Sequence, residues 1–247
     1  MMLLLDIGNT HTDSALATTE RIVKVIRFKS VDWNSNKAEN CLNKFTSGKT
    51  FTSTIYCSVV PSATKTAKKM PLIQRQKFSA ISSKNCGINI QYPKPNSIGA
   101  DRLANVIAAL NEFHPPLVVI DFGTAVTFDI VDRNSTYIGG IISPGLSVMT
   151  DYLHEKTALL PKIRLQEPSA SIGKSTVQAM QIGAIHGYRG LIRSIVDGVK
   201  KSLKTRQLNV ITTGGCGNLI ATEIPEVTYI RPRLTLEGLR IAAHDIK

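Results

Sequence analysis

Two apolar runs in this sequence end in nearly the same turn. Met2-Leu3-Leu4-Leu5 leads into Asp6-Ile7-Gly8-Asn9-Thr10, and Leu117-Val118-Val119-Ile120 leads into Asp121-Phe122-Gly123-Thr124. A run of about four apolar residues indicates a strand that is buried on both faces. A glycine two places after the aspartate lets the chain reverse and lets bare backbone approach a ligand. The repeat therefore predicts two strand-end turns of one design.

Such turns are suited to binding phosphate. Their backbone N–H groups and threonine hydroxyls can donate to phosphate oxygens, whereas the strand-end carboxylate would repel phosphate and is expected to hold a cation or a water molecule. Two turns that face each other could enclose a nucleoside triphosphate. The alternative is a pair of ordinary hairpins with Asp and Gly in their usual turn positions. One copy alone would favour the hairpin, but two copies on apolar strands favour the phosphate clamp.

The length of 247 residues fits one large domain or two smaller ones, and the repeat favours two. Pro115-Pro116 marks the best boundary, which gives domains 1–114 and 115–247. No apolar stretch reaches the roughly 18 residues of a membrane span, so we expect no membrane partner. The first apolar run lacks a basic leader and meets Asp6 too early for a signal peptide. We therefore expect a cytoplasmic location.

The chain carries a formal net charge of +12, which would suit nucleic-acid binding. Its basic residues lie in short groups without interleaved aromatic residues or a nucleic-acid motif, so we do not expect nucleic acid as a partner. The four cysteines and five histidines are scattered through the sequence. We therefore predict reduced, structural cysteines and no zinc site.

Residue patterns predict the remaining elements. The first half should contain a meander over 12–28, a helix near 34–47, a strand at 54–60, a basic helix at 62–70 and a helix from Leu103 to before Pro115. The second half should contain strands at 126–131 and 137–143, helices at 146–158 and 176–199, and a strand at 210–212. That last strand opens into Thr213-Gly214-Gly215, which is either a tight turn or a shelf for adenine or ribose.

These motifs resemble the actin, sugar-kinase and Hsp70 ATPase superfamily, and within it the type III pantothenate kinases. The matching stretches run through the chain in family order: Asp6–Thr10, Gly99–Arg102, Asp121–Ala125, Thr127–Asp129, Gly139-Gly140, Pro144–Leu146, Thr176, Met180-Gln181, Gly183, Thr213–Gly215 and Leu234–Leu239. Ala15, where relatives often carry glycine, and Cys216-Gly217 are departures. The resemblance implies an α/β, two-domain actin-like ATPase (ribonuclease H-like) fold with duplicated mixed β-sheet domains.

By the same resemblance, the reaction is ATP-dependent phosphorylation of the primary hydroxyl of pantothenate, the first step of coenzyme A biosynthesis. The residues themselves support phosphoryl transfer in general, and the acceptor comes from the family alone. Two alternatives stay open: another small-molecule kinase of this superfamily, and a non-catalytic nucleotide-binding regulator. The expected cofactors are ATP, Mg²⁺ and a monovalent cation, K⁺ or NH₄⁺.

Asp101 is the predicted catalytic base, because it lies at the start of a helix and follows a glycine that could admit substrate. The helix N-terminus would stabilise its negative charge, although Asp is also a common N-cap. Arg102 could bind a carboxylate or phosphate, or form a surface ion pair. The resemblance places Tyr92 and Thr176 in the pantothenate pocket, together with Gly99 and Ala100. Taken alone, Tyr92 would be a loop residue and Thr176 a helix cap.

The remaining assignments concern ATP, the cation and assembly. The predicted ATP-binding residues are Asp6, Ile7, Gly8, Asn9, Thr10, His11, Thr12, Asp13 and Thr124, of which His11 is given no chemistry. Asp121 is expected to bind the monovalent cation. The helix at 176–199 carries Met180, Gly183, Gly187 and Gly190 nearly on one face. Similar kinases are dimers, and this face predicts a homodimer in which the helix packs against its twofold mate.

Overall fold

The computed structural model describes residues 1–244, which form two compact units. The first unit contains Met1–Glu112 and residues 233–244, and the second contains Phe113–Pro232. The boundary lies close to the predicted one at Pro115. The structure differs from the predicted division in one respect, because the last helix belongs to the first unit and not to the second.

Helices and strands alternate in the pattern that the sequence predicts for most of the chain. The strands are β1 (Met2–Ile7), β2 (His11–Ala17), β3 (Ile22–Lys29), β4 (Ser53–Ser58), β5 (Lys77–Ala80), β6 (Asn89–Ile90), β7 (Leu117–Phe122), β8 (Ala125–Val131), β9 (Thr136–Pro144), β10 (Asn209–Gly214) and β11 (Tyr229–Ile230). The helices are α1 (Lys37–Thr46), α2 (Pro61–Lys69), α3 (Pro71–Gln74), α4 (Ala100–Glu112), α5 (Leu146–Lys156), α6 (Thr176–Ser202), α7 (Gly217–Ala221) and α8 (Leu234–Ala242). Short 3-10 helices cover Ser30–Asn34 and Pro95–Ser97.

The first unit contains a mixed sheet in the order β3-β2-β1-β4-β5. β1, β2 and β3 form an antiparallel meander, and β4 then pairs with β1 in parallel. β1 is thus flanked by a strand on each side, and its four leucine and methionine side chains are buried. This agrees with its apolar run, since a central strand covered on both faces needs no alternation.

One core of this unit lies between the sheet and the polypeptide between β3 and α3. Leu3, Leu5 and Ile7 of β1 contact a cluster that includes Trp33 and Leu42. Trp33 belongs to the 3-10 helix and is 2% exposed. Its ring lies against Phe28 of β3, with ring centroids 5.6 Å apart.

Helix α8 also packs in the first unit, against α4 and against strands of the sheet. Gly238 allows this approach, because a Cβ atom at this position would collide with the carbonyl oxygen of Ala104 in α4. A buried hydrogen bond of 2.8 Å from Thr235 Oγ1 to Asn105 Oδ1 joins the same two helices. Helix α8 therefore completes the first unit through contacts with residues more than a hundred positions earlier in the sequence.

The second unit repeats the plan. β7, β8 and β9 form an antiparallel meander, and β10 pairs in parallel with β7 on its other side, followed by β11. The long helix α6 covers this sheet with Ile185, Tyr188, Ile192 and Val196, all of which are buried. The duplicated mixed sheets confirm the α/β fold class that the sequence predicted. Among the described residues, no helix is both long and apolar enough to cross a membrane.

A glycine substitution tests the α4–α8 packing. Gly238→Ala should lower the free energy of unfolding by about 1–3 kcal/mol, because the added Cβ forces two helix backbones apart. Gly198→Ala in α6 is the matched control: its Cβ would meet nothing within 4 Å, and the change should stabilise by up to about 1 kcal/mol. Urea unfolding of both variants measures the difference. A Gly238→Ala protein as stable as the unmodified chain would contradict this packing.

Candidate active site

The first strand-end turn covers residues 8–10 between β1 and β2, and we call it turn 1. The Gly8 amide donates to His11 O at 3.1 Å, which closes the turn. A Cβ at Gly8 would lie 2.9 Å from that same carbonyl oxygen, so the tight closure requires glycine. Asn9, Thr10 and His11 are exposed. Turn 1 therefore presents backbone and short polar side chains at the surface, as a phosphate-binding turn must.

Not every predicted ATP contact lies at that surface. The Ile7 side chain is fully buried in the core. Thr12 is also fully buried, and its hydroxyl is bonded to Trp33 and Ser30. Asp13 pairs with Arg27 of β3 through two hydrogen bonds of 2.6 and 2.7 Å. The side chains of Ile7 and Thr12 thus support turn 1 from the inside, while the ion pair of Asp13 joins β2 to β3.

Asp6 lies next to the end of β1 and is partly buried. The parallel register places Cys57 of β4 beside it, and the thiol donates to Asp6 Oδ1 at 3.2 Å. This bond orients one carboxylate oxygen toward the interior of the sheet. Cys57 is fully buried. No local sequence pattern indicates this contact, because the two residues meet only through strand pairing.

The second turn covers residues 123–124 between β7 and β8, and we call it turn 2. It is one residue shorter than turn 1, and the Gly123 amide donates to Ala125 O at 3.1 Å. Thr124 is exposed at its tip, and Asp121 lies partly buried at the strand end. Both features match the predicted phosphate and cation assignments, which stay predictions.

Two further glycines pack against turn 2. A Cβ at Gly145, before α5, would collide with the carbonyl oxygens of Gly123 and Thr124, and the Gly145 amide donates to Thr124 O at 2.9 Å. Gly214 at the end of β10 has a φ of +91°, and its Cβ would lie 2.6 Å from Asp121 Oδ1. The predicted third turn at 213–215 therefore lies directly against the Asp121 carboxylate.

Tyr188 of α6 supports the backbone next to Gly145. Its hydroxyl donates to Pro144 O at 3.2 Å, one residue before Gly145. Burial raises the pKa of the Tyr188 phenol well above its usual range. The phenol therefore remains a hydrogen-bond donor at any physiological pH. Sequence reasoning missed this residue, since an aromatic at helical spacing indicates only a core position.

Asp101 is the second residue of α4 and is partly buried. Its Oδ1 accepts a 2.9 Å hydrogen bond from the Arg102 amide, one of the first-turn N–H groups that lack a helical partner. The Leu103 amide donates to Gly99 O, so the helix begins after Gly99 and Asp101 is not its N-cap. In the described chain no other group bonds to this carboxylate. The carboxylate can therefore accept a hydrogen bond, or a proton, from an approaching hydroxyl.

Gly99 lets the carboxylate fold back over the helix start. A Cβ there would collide with Asp101 Oδ1 and would lie 3.6 Å from the Arg102 side chain. Gly99, Ala100 and Arg102 are all partly buried, whereas Tyr92 is 38% exposed in the loop that follows β6. The structure thus brings Gly99 to Arg102 together at the start of α4, with Tyr92 in the loop that leads to it.

Thr176 is the first residue of α6 and is exposed. The helix cap is its neighbour Ser175, whose Oγ accepts from the Gln178 amide at 3.3 Å. The loop before it is fixed by Glu167, which accepts two hydrogen bonds from Arg189 of α6. That bonding holds the pKa of Glu167 below its usual range. Thr176 is therefore free of the capping role that its position suggested.

The donor atoms at the two strand ends suit hard cations. In the part of the chain that the structure describes, no group of three or more His, Cys, Asp or Glu side chains could hold a metal. Single carboxylates beside glycine turns, as at Asp6 and Asp121, fit Mg²⁺, which is bound by one or two carboxylates together with substrate phosphates and water. The four cysteines are all free thiols, as expected.

Comparison with known proteins identifies the family. The family profile described as type III pantothenate kinase matches residues 2–198. The chain belongs to the type III pantothenate kinase family. Proteins named type III pantothenate kinase from Akkermansia muciniphila and Methylacidiphilum infernorum are 43% and 39% identical to it; the first match covers 98% of this chain and 97% of that protein, and the second covers 97% and 87%.

Solved structures support the fold of this type III pantothenate kinase family member. An inorganic polyphosphate/ATP-glucomannokinase from Arthrobacter sp. strain KM superposes with a TM-score of 0.53 at 11% identity and covers 98% of each chain. At that identity the likeness concerns the fold alone. It confirms the actin-like ATPase and sugar-kinase fold that the resemblance implied.

Proposed function

We propose that this chain phosphorylates the primary hydroxyl of pantothenate with ATP, forming 4'-phosphopantothenate in the first step of coenzyme A biosynthesis. The observation that carries this proposal is the family match over residues 2–198. That region contains turn 1, Asp101 and turn 2, each in a geometry that suits its assigned part. A cytoplasmic location agrees with this function and with the free cysteines.

Asp101 is the proposed base. Phosphoryl transfer passes through a loose transition state, so it depends mainly on a positioned hydroxyl and compensated charge. A carboxylate held by the Arg102 amide can accept the hydroxyl proton late in the reaction. The neighbouring guanidinium of Arg102 is suited to the substrate carboxylate, because its planar fork binds carboxylates through two hydrogen bonds.

The other assignments follow the same logic. The proposed phosphate-binding groups are the backbone N–H groups and hydroxyls of residues 6–11, which include turn 1, and of Thr124 in turn 2. Asp6 would hold Mg²⁺ or its water, because a bare carboxylate would repel phosphate. Magnesium supplies charge neutralisation of the phosphates when it is bound. Tyr92, Gly99, Ala100 and Thr176 are proposed to line the pantothenate pocket.

Asp101→Asn should abolish pantothenate phosphorylation while the fold and ATP binding stay nearly unchanged. The amide keeps the shape but loses the proton acceptor and the charge, which should slow turnover about 100-fold to 10,000-fold. A coupled assay with ATP and a panel of alcohol acceptors measures the rate and identifies the acceptor in one experiment. Calorimetric titration with ADP provides the control for nucleotide binding.

The panel of alcohol acceptors distinguishes the proposed function from its two alternatives. Turnover of a sugar in preference to pantothenate would support another kinase of this superfamily. Nucleotide binding without turnover of any acceptor would support a non-catalytic regulator. Near-normal turnover by Asp101→Asn would reject Asp101 as the base even if pantothenate is the substrate.

Asp121 is the proposed site for a monovalent cation beside the phosphates. Two strand-end carboxylates near a polyphosphate need two positive mediators, and one divalent ion leaves one carboxylate uncompensated. Activity should rise when potassium replaces sodium at equal ionic strength. Asp121→Asn should weaken that response and raise the KM for ATP. Titrations of ATP in both salts test this, and superimposable curves for the unmodified enzyme would refute the cation site.

The exposed face of α6 is the proposed homodimer contact. Gly183, Gly187 and Gly190 are exposed, and a Cβ at each would meet nothing within 4 Å in the described chain. A closed twofold contact would use this same surface on both subunits. Sedimentation should give a dimer at micromolar concentration, and Gly187→Trp should shift it toward monomer. A monomeric unmodified protein would contradict the dimer.

A further inference from the structure

Three buried polar side chains form a chain of hydrogen bonds that ends on turn 1. Trp33 Nε1 lies 2.8 Å from Thr12 Oγ1, which lies 3.0 Å from Ser30 Oγ. Ser30 Oγ in turn lies 2.6 Å from the carbonyl oxygen of Gly8. The three side chains are at most 6% exposed. None of them can reach a ligand from these positions.

Counting donors fixes the direction of every bond. An indole N–H can only donate, and a carbonyl oxygen can only accept. Ser30 must therefore donate its single hydroxyl hydrogen to Gly8 O, which leaves its oxygen to accept from Thr12. Thr12 then donates to Ser30 and accepts from Trp33. The chain runs one way, from the tryptophan in the core to the backbone of turn 1.

Ser30 holds turn 1 at two points. Its hydroxyl donates to Gly8 O, and its backbone amide donates to Thr10 O at 3.0 Å. In a trans peptide the N–H points opposite to the C=O. The peptides after Gly8 and Thr10 therefore direct the N–H groups of Asn9 and His11 away from Ser30. The two bonds of Ser30 thus fix the orientation of the two peptide planes that carry the N–H groups of Asn9 and His11.

We propose that Ser30, Thr12 and Trp33 are positioning residues that hold turn 1 in its anion-binding conformation. They act on ATP through the backbone of turn 1 and touch no substrate atom. The inference rests on the proposed function only in taking ATP as the anion that turn 1 binds. Preorganised N–H groups bind an anion without first paying for ordering of the turn.

Ser30→Ala is the first test. It removes the donor to Gly8 O and should weaken ADP–Mg²⁺ binding, measured by calorimetry, and raise the KM for ATP, each about tenfold. The KM for pantothenate should change less than about twofold, because its proposed site at α4 does not include turn 1. Ser30→Thr keeps the hydroxyl and should recover most of the affinity.

Ser14→Ala is the matched control. Ser14 lies on the same face of β2 as Thr12, is fully buried, and its hydroxyl has no partner in the described chain. Removing this hydroxyl should leave the ADP affinity unchanged. Trp33→Phe keeps an aromatic ring against Phe28 but removes the N–H together with the five-membered part of the indole, and it should weaken ADP binding to a smaller extent, about twofold to threefold.

The experiments distinguish failure of the positioning role from failure of the proposed function. Ser30→Ala and Ser14→Ala proteins with equal ADP affinities would overturn the positioning role, as would equal changes in the KM values of both substrates. If Ser30→Ala does not fold, the same comparison is made between Trp33→Phe and Ser14→Ala, and equal ADP affinities for these two overturn it. An unmodified chain that binds ADP but phosphorylates no pantothenate would reject the proposed function alone. Absence of nucleotide binding would reject both.

Discussion

The parallel pairing of β1 with β4, and of β7 with β10, is the constraint on which both strand-end turns depend. Because each first strand has a meander partner on one side and a parallel partner on the other, its end is held from both sides. The register then places Cys57 beside Asp6 and Thr213 beside Asp121. A carboxylate enclosed in this way has few orientations, so the turn that follows presents its backbone in one geometry.

Sequence patterns predicted the elements that carry a strong local signal. Apolar runs located β1 and β7, and helical spacing located α4 and α6, because burial on a fixed face imposes a period. β5, β6, α3, α7 and β11 have no counterpart in the sequence prediction, since such short elements owe their conformation to their neighbours. The place of α8 was also missed. Its position depends on Gly238 against Ala104, and no local pattern reports a contact so distant in sequence.

The residues of the candidate site likewise fall into those that local sequence patterns could predict and those that they could not. Asp101 and the glycine turns could be predicted, because a carboxylate at a helix start and a glycine after a strand have local causes. The sequence motif predicts one ligand surface from Asp6 to Asp13, but β2 begins at His11 and alternate side chains of a strand point to opposite faces. The two-residue period of a strand could have predicted that the Thr12 side chain points to the interior. The part of Ser30 could not be predicted, since it reaches Gly8 only through strand pairing.

The two turns share a sequence motif but are supported by different kinds of interaction. Turn 1 is held by hydroxyl and indole hydrogen bonds, whose strength varies with the donor. Turn 2 is held by close backbone packing, where Gly145 and Gly214 leave no room for a Cβ atom. A hydrogen bond persists after a conservative exchange such as serine for threonine. A glycine packed against backbone permits no such exchange, because any added Cβ atom would collide. The duplicated fold therefore allows the side chains that support turn 1 to change, whereas the positions that support turn 2, Gly145 and Gly214, remain restricted to glycine.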